Sequence, residues 1–449
     1  MSNSSVGTPE QCRDPNYMPK LSVAVPLGIQ HVLAMFVANI TPAIIIAGAA
    51  GFGFGSNSPD FPMMLYMMQM CMLLAGITTL LQTVGAGPVG ARLPIVQGTS
   101  FAFIPILIPL VAGKGVDAMA AVTGGILVGG LFQATLAPLV GRLRFALPPL
   151  VTGLIVTMIG LSLLKVGVQY AAGGVPAIGT PEFGSLQNWG VASVVIVVTL
   201  GLKFFTKGFL SVSSILIGLA AGYVVAYMLG MVSFANVGRA SSFAAPKVFP
   251  FGVEFTVAAV LGICLMAFIS AIETVGDVSG ITKGGADREA TDTEIKGATY
   301  ADGLGTAFSS IFGGLPNTSF SQNVGLIAMT RVMSRHVATI GAVFLIICGF
   351  IPKVGAVIST IPIEVLGGGV ILMFGMVVSS GVKMLGDVDW TSRNMVIFAI
   401  SLSLGFGLML EPGALQHMPS TAKALLGTGL LPAAFMAIIL NLIVPHEED

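Results

Sequence analysis

Three carboxylates lie in or against apolar runs of this chain: Glu273, Asp277 and Asp302. Glu273 follows the run Leu261 to Ser270 and so sits about a span's depth in, where an ionisable side chain is costly and points to a binding site or pathway. Glu273 and Asp277 are four residues apart and share one helix face. Two carboxylates that close in a low-dielectric setting cannot both ionise cheaply, so one is expected to hold a proton, as a proton-coupled carrier requires. The plainer alternatives are structural. Asp277 can cap a helix end near solvent. Asp302, which follows Gly297-Ala298-Thr299-Tyr300-Ala301 near a segment start, can do the same.

A second group of polar residues brackets a short apolar run: Ser321-Gln322-Asn323-Val324-Gly325 before Leu326 to Met329, and Thr330-Arg331 after it. That run cannot cross a bilayer, which takes roughly 20 apolar residues. A half-length helix entered through a polar segment is how many transporters build a midplane site. Gln30-His31 lies in the first apolar span, either packed and hydrogen-bonded or reaching a carboxylate or the substrate path. Gln97, Thr99, Ser100 and Phe101 occupy another interrupted segment, where Phe101 offers a flat face beside polar groups. One aromatic face, one carboxylate and one carboxamide suit a flat, neutral or weakly acidic heterocycle. Gln322 can donate and accept along one edge, and Glu273 can accept from ring N–H groups.

The elements that must position these residues are membrane helices. The chain has 449 residues, 55% hydrophobic and 9% charged, against about 25% charged in soluble domains; the mean hydropathy is +0.94. The apolar runs are continuous rather than the alternating segments of an outer-membrane barrel. Zero net charge suggests no nucleic-acid partner. Cys12, Cys71, Cys264 and Cys348 form no CxxC pair, and the four histidines are scattered, so no metal or disulfide site is expected. Residues 1–20 are polar, lack an apolar h-region and read as a short tail rather than a cleaved signal. No nucleophile–base pair, cofactor motif or GxxxxGK[ST] loop is present, so the reading is a secondary transporter driven by an ion gradient, with no catalytic residues and no cofactor.

Hydropathy gives about fourteen apolar segments. They run approximately 22–49, 62–84, 94–111, 118–140, 147–168, 188–205, 210–233, 253–276, 297–314, 320–331, 337–352, 363–382, 393–411 and 423–445. The third and tenth are short or interrupted, and a Leu-Pro pair opens or precedes each: Leu93-Pro94 and Leu315-Pro316. With the N-terminus inside, Arg13, Lys20, Arg92, Arg142, Arg144, Lys203, Lys207, Lys283, Arg288, Lys296, Arg331, Arg335, Lys383 and Arg393 fall on the cytoplasmic side and the other six basic residues outside. This asymmetry favours both termini in the cytoplasm. Thr99-Ser100-Phe101 recurs as Thr318-Ser319-Phe320, and Gly153-x4-Met158-x-Gly160 as Gly368-x4-Met373-x-Gly375, at offsets of about 215–220 residues. Seven segments per half require the second copy to be inverted, and paired broken helices in inverted repeats point to a substrate site between them.

These residues resemble the nucleobase–ascorbate transporter family, also called nucleobase–cation symporter family 2. Gln322-Asn323-Val324-Gly325…Thr330-Arg331 is similar to its signature Q/E/P-N-x-G-x4-T-R/K/G. Gln30-His31 resembles its first-helix motif, Ala271-Ile272-Glu273-Thr274-Val275-Gly276-Asp277 its eighth-helix acidic motif, and Ala301-Asp302-Gly303-Leu304 its ninth-helix aspartate motif. The resemblance runs nearly end to end, with the motifs in family order. It implies an all-α membrane protein of 7+7 inverted repeats, with helices 3 and 10 preceded by short strands. It also implies a core domain (21–140, helices 1–4, and 250–352, helices 8–11) and a gate domain (141–235, helices 5–7, and 353–445, helices 12–14). Homodimers, an elevator-like motion and a cytoplasmic-membrane location go with it. By resemblance Glu273 and Gln322 bind the base, Phe101 stacks on it, and Ser100 lies beside it with Ser321 nearby. Asp302 is the proton-linked carboxylate, assisted by His31 and Asp277. Asn323 holds the core geometry, with Val324, Gly325, Thr330, Arg331 and Gln97 serving structure or selectivity.

Gln322, rather than the glutamate common in uracil carriers, resembles the purine branch. Ser321, Val324 and Arg331 are similar to bacterial urate carriers, whereas Gln97-Gly98-Thr99-Ser100-Phe101 is also similar to xanthine permeases. The small Ser100 leaves room for the extra oxo group of urate. Urate and xanthine are therefore the expected substrates, taken up with protons. The alternatives are a uracil symporter or an anion transporter of the same fold, the latter discounted because Glu273 and Gln322 put no fixed positive charge at the half-helix ends. Nothing supports a membrane enzyme acting on a lipid or quinone, and a channel would show flux without saturation or counterflow.

Overall fold

The computed structural model describes residues 6–52, 59–140 and 148–445; Arg142, Arg144 and the first residue of the fifth expected segment lie outside them. The helices relevant to the site are α1 (Leu21–Ala50), α2 (Phe61–Val84), α3 (Ile104–Val111), α4 (Met119–Leu136), α5 (Pro149–Ala171), α6 (Leu186–Phe205) and α7 (Ser214–Met228). They continue with α8 (Val257–Ala286), α9 (Asp292–Ile311), α10 (Ser321–Thr330), α11 (Arg335–Gly349), α12 (Ile363–Leu385), α13 (Ser392–Leu410) and α14 (Leu430–Ile443). Two three-residue strands, β1 (Gln97–Thr99) and β2 (Asn317–Ser319), precede α3 and α10. Among the described residues, eight helices are long and apolar enough to cross a membrane, or ten when two bent pairs are included.

Those bent pairs are breaks that hydropathy missed. α11 turns by 88° into a short helix Pro352–Ile358, and Ser420–Leu426 meets α14 at 76°. Apolar composition continues through both bends, so a hydropathy window cannot see them. The sequence also placed the acidic helices too short. α8 runs on to Ala286, ending where Asp287 takes a left-handed conformation at φ 53°, because Gly, Ser and Thr after Asp277 remain compatible with helix. Asp277 is therefore interior to α8 and does not cap its end. α9 begins at a capping box of Thr291 and Glu294, which puts Asp302 about 15 Å along the helix at 1.5 Å per residue, also not a cap. The polar N-terminal stretch likewise contains a short helix, Pro9–Arg13.

β1 and β2 pair antiparallel with Gln97 opposite Ser319, Gly98 opposite Thr318 and Thr99 opposite Asn317. Aligning Thr99 with Thr318, as the sequence echo does, maps the Gly98–Thr318 pair onto the Thr99–Asn317 pair, so exchanging the strands preserves the register. Gly98 is required for this crossing: a Cβ there would run into the Phe320 ring and Met35 Cε. α1–α4 and α8–α11 pack chiefly on one another. α5, α6, α7, α12, α13 and α14 form a second set, with α12 lying along α5. Gly160 and Gly381 sit at that contact, facing Phe374 O and Thr157, and small residues allow such close helix approach in a membrane. Outward faces are apolar, as lipid requires: Val197, Phe204 and Phe205 on α6, Val396 and Ile400 on α13.

Candidate substrate site

The strand crossing brings both half-helices to the middle of α8. Each half is pinned by buried polar contacts. Thr99 donates its N–H and hydroxyl to Asn39 Oδ1, at 2.8 and 3.1 Å, while Asn39 Nδ2 donates to Cys71 O. On the other strand Asn317 N donates to Thr306 Oγ1 at 3.0 Å, and its side-chain amide donates to Ser309. These contacts supply the strands' outer edges with partners that a two-stranded sheet cannot, which buried backbone groups require.

Each strand also reaches a carboxylate. Gln97 Nε2 donates to Asp302 Oδ1 at 2.6 Å, and Gln82 Nε2 donates to the same oxygen at 3.0 Å. Gln82 is itself fixed, donating to Ala298 O and accepting from Ala91 N. Asp302 Oδ2 meets the hydroxyl of Thr274, whose oxygen also lies 3.0 Å from Ser270 O. Asp302 is fully buried. Across the crossing, Ser319 Oγ donates to Asp277 Oδ2 at 2.6 Å and Ser321 Oγ to Oδ1 at 2.8 Å. Glu273, one turn before Asp277 on α8, differs: its Oε2 is buried without a hydrogen-bond partner.

Asn323 Nδ2 stands 3.0 Å from both His31 Nδ1 and His31 O. A carbonyl oxygen only accepts, so the nitrogen of Asn323 faces the histidine, Nδ1 accepts, and the imidazole proton sits on Nε2. Gln322 is half-buried and lines a cavity of about 20 Å³ with Leu33, Ala34, Ile215, Leu216 and Met373, from α1, α7 and α12. Phe101 is buried and meets Phe374 of α12 edge-on, with centroids 5.3 Å apart. Ser100 Oγ accepts from Ala102 N at 3.3 Å.

A family model described as a permease family (Xan_ur_permease) matches residues 22–413. The chain belongs to the nucleobase–ascorbate transporter family. It is a multi-pass membrane permease and not an enzyme. Within this family it is 35% identical over 420 residues to the uric acid permease PucJ of Bacillus subtilis, covering 93% of this chain and 91% of that one. It is 33% identical over 443 residues to the xanthine permease XanP of Escherichia coli, covering 96% and 94%. Its fold matches the transmembrane domain of a cyanobacterial bicarbonate transporter, BicA, with a TM-score of 0.56 and 14% identity over 92% of this chain and 97% of that one.

The family's signature residues thus divide in space. Gln322 and Asn323, with Ser321 just before them, stand at the crossing. Val324 packs over Gly280 of α8, and a Cβ on Gly325 would face open space. Thr330 bonds back to Leu326 O. Arg331, left-handed at φ 56°, pairs with Asp287 at the far end of α10. Sequence reasoning missed Gln82, Asn39, Thr274, Ser319 and Phe374. Gln82 and Asn39 carried the same signal that singled out Gln30-His31, a carboxamide inside an apolar span.

Proposed function

We propose that this permease takes up purine bases, urate and xanthine, across the cytoplasmic membrane together with protons. The names of its uric acid and xanthine permease relatives support the substrate class. The observation that carries the site is the unpartnered Glu273 Oε2, flanked by two acids whose oxygens are occupied. A buried acceptor without a donor is costly, and a ring N–H of an oxopurine supplies the donor. Gln322 pairs with the pyrimidine edge, Phe101 lies against the ring, and Ser100 and Ser321 border it.

Counting hydrogens supports Asp302 as the proton carrier. Thr274 has one hydroxyl hydrogen, yet its oxygen contacts two groups, Ser270 O and Asp302 Oδ2, that both only accept when Asp302 is ionised. A proton on Asp302 gives every contact a donor: Asp302 to Thr274, Thr274 to Ser270. Asp277, receiving two serine hydroxyls, suits the ionised form. His31 and Asp277 assist the transfer, and Asn323, with Gln97, Val324, Gly325, Thr330 and Arg331, keeps the geometry.

The space at Gln322 holds about one water, so admitting a purine requires α7 and α12 to part from α1 and α10. That supports motion of a core (α1–α4, α8–α11) against a gate (α5–α7, α12–α14) in an elevator-like cycle. A homodimer with both termini cytoplasmic completes the proposal, resting on the family resemblance and on the basic residues' asymmetry. Uptake of labelled urate, xanthine and uracil in carrier-deficient cells, with and without a protonophore, tests the proposal. Saturable, protonophore-sensitive urate and xanthine uptake is expected. Uracil uptake alone, or uptake indifferent to the protonophore, overturns it.

A further inference from the structure

A second cavity, of about 490 Å³, opens at the end of the molecule where α8 begins. Its lining includes Leu110 on α3 and Lys114 just beyond it, Ala258 on α8, and Thr421, Lys423 and Gly427 around the short helix before α14. Both charged groups in that lining are cations, Lys114 and Lys423. Lys114 Nζ donates to Leu110 O at 2.9 Å, which fixes the ammonium at the rim and leaves it further hydrogens to donate. Much of the remaining lining is apolar, from Pro109, Ala258, Pro412 and Ala424. Ile106 and Leu425 close over Gly262, where a Cβ would stand 2.7 Å from Ile106 Cγ1 and 3.1 Å from Leu425 Cδ2. Gly262 is one helical turn below Ala258. Glu273 lies about 22 Å below Ala258 along the same helix, at 1.5 Å per residue. A cation-lined chamber, an apolar seal and the acidic site therefore follow one another along α8.

We propose that this chamber is an outer receiving site for the monoanion of an oxopurine, held by Lys114 and Lys423 before the Ile106–Leu425 contact opens. The inference rests on the purine reading above and adds a stage to it. Its volume falls within the roughly 300–1,000 Å³ of small-molecule sites. Urate is anionic at neutral pH and xanthine largely neutral. Glu273 and Asp277 wait below, and the field of these ionised acids opposes an anion arriving directly from water. Two cations facing one space without a carboxylate in its lining offset that field, raising the local concentration of an anionic substrate, as charged clefts do. The chamber therefore favours urate over xanthine at entry, and salt weakens the preference.

The test uses the full chain in proteoliposomes, comparing wild type with the double variant Lys114→Gln/Lys423→Gln. With labelled urate and xanthine at low and high salt, the ratio of the urate KM to the xanthine KM is expected to rise about tenfold in the variant at low salt. Its salt dependence should disappear, and Lys114→Arg/Lys423→Arg should restore wild-type behaviour. An unchanged ratio, or equal losses for both substrates, overturns the proposal. A second readout needs no transport. Thr421→Cys, in a background with Cys12, Cys71, Cys264 and Cys348 replaced, is labelled with anionic and cationic thiol reagents of similar size. The anionic reagent should react about ten times faster, and the advantage should vanish in the double-lysine variant. Equal rates with both lysines present overturn the receiving site. A wild type that carries neither purine removes the purine reading itself, and the oxopurine assignment with it, while the labelling still reports the chamber's charge.

Discussion

The two interrupted segments leave one strand crossing and differ in almost everything after it. Past β1 the chain presents Ser100 and Phe101, then an α3 built from Ile, Leu and Val with Pro105 and Pro109 inside. Past β2 it presents Ser321, Gln322 and Asn323 in the first turn of α10. Each break holds its own acid, β1 through Gln97 on Asp302 and β2 through Ser319 and Ser321 on Asp277. The hydrogen supply differs. Asp302 meets two amides and a hydroxyl whose hydrogen is contested, whereas Asp277 meets two free serine donors. A strand pairing whose register is symmetric thus carries asymmetric hydrogen bonding, and on the function proposed above the first break would shape the site and hold a proton while the second would supply hydrogen bonds to the base.

The sharpest way to break that contrast is to neutralise the acids one at a time. Asp302→Asn imitates the protonated form and is expected to abolish accumulation against a gradient while leaving substrate binding and exchange. Glu273→Gln should instead lose binding, by about 1.5–3 kcal/mol for a hydrogen bond to a charged group. Uptake measured beside equilibrium binding separates the two. Asp277→Asn should reduce accumulation less than Asp302→Asn, because serine hydroxyls can turn to accept from an amide. The reverse order would move the proton to the β2 side and end the asymmetry.

Gln322→Glu probes the second break directly. An ionised carboxylate accepts but cannot donate, so purine binding should weaken by about 1–3 kcal/mol, the cost of one unpaired buried group. Urate and xanthine affinities unchanged at equal expression would remove Gln322 from the site.

How far the sequence exposed this arrangement depended on whether polarity interrupts an apolar run. Both breaks were legible because Gln97, Ser100, Gln322 and Asn323 stand where lipid-facing chain should be apolar. The bends after α11 and before α14 were not, because Ile351-Pro352 and Gly427-Thr428-Gly429 alter direction without much change in hydropathy. The acids were found, but their depth was misjudged: Gly276 and Asp277 ended the hydropathic run without ending the helix. Partnership was out of reach altogether. Nothing in the spacing of Gln82, Thr274 and Asp302 says that they meet, since the pairing depends on α2, α8 and α9 converging behind β1.

Ser100→Asn sharpens the shape-giving role of the first break. Added volume without added charge beside the ring should lower urate affinity several-fold more than xanthine affinity, roughly 1 kcal/mol of difference, within the usual cost of overfilling a packed site. Competition of each purine against labelled xanthine measures it. Equal losses would show that α3's side of the crossing does not discriminate between purines.

The smallest effect is expected at the far end of α10. Arg331 Nη1 donates to Asp287 Oδ1 at 2.9 Å, and Arg13 Nη2 contacts Asp287 Oδ2 at 2.5 Å. This cluster joins the N-terminal helix to the ends of α8 and α10. Met333 N also donates to Cys12 O, and Arg335 N to Pro15 O. The three ionic side chains are about half exposed, at 53%, 47% and 50% for Arg13, Asp287 and Arg331, so water and salt screen them and each exposed pair contributes about 0–1 kcal/mol. Arg331→Gln keeps a side chain of similar reach and should lower thermal stability slightly at low salt and not at all at high salt, with the urate-to-xanthine preference unchanged. A changed preference would mean that α10 transmits its distal contacts along the helix to Gln322. The chemistry of the second break would then belong to the whole half-helix rather than to its first turn.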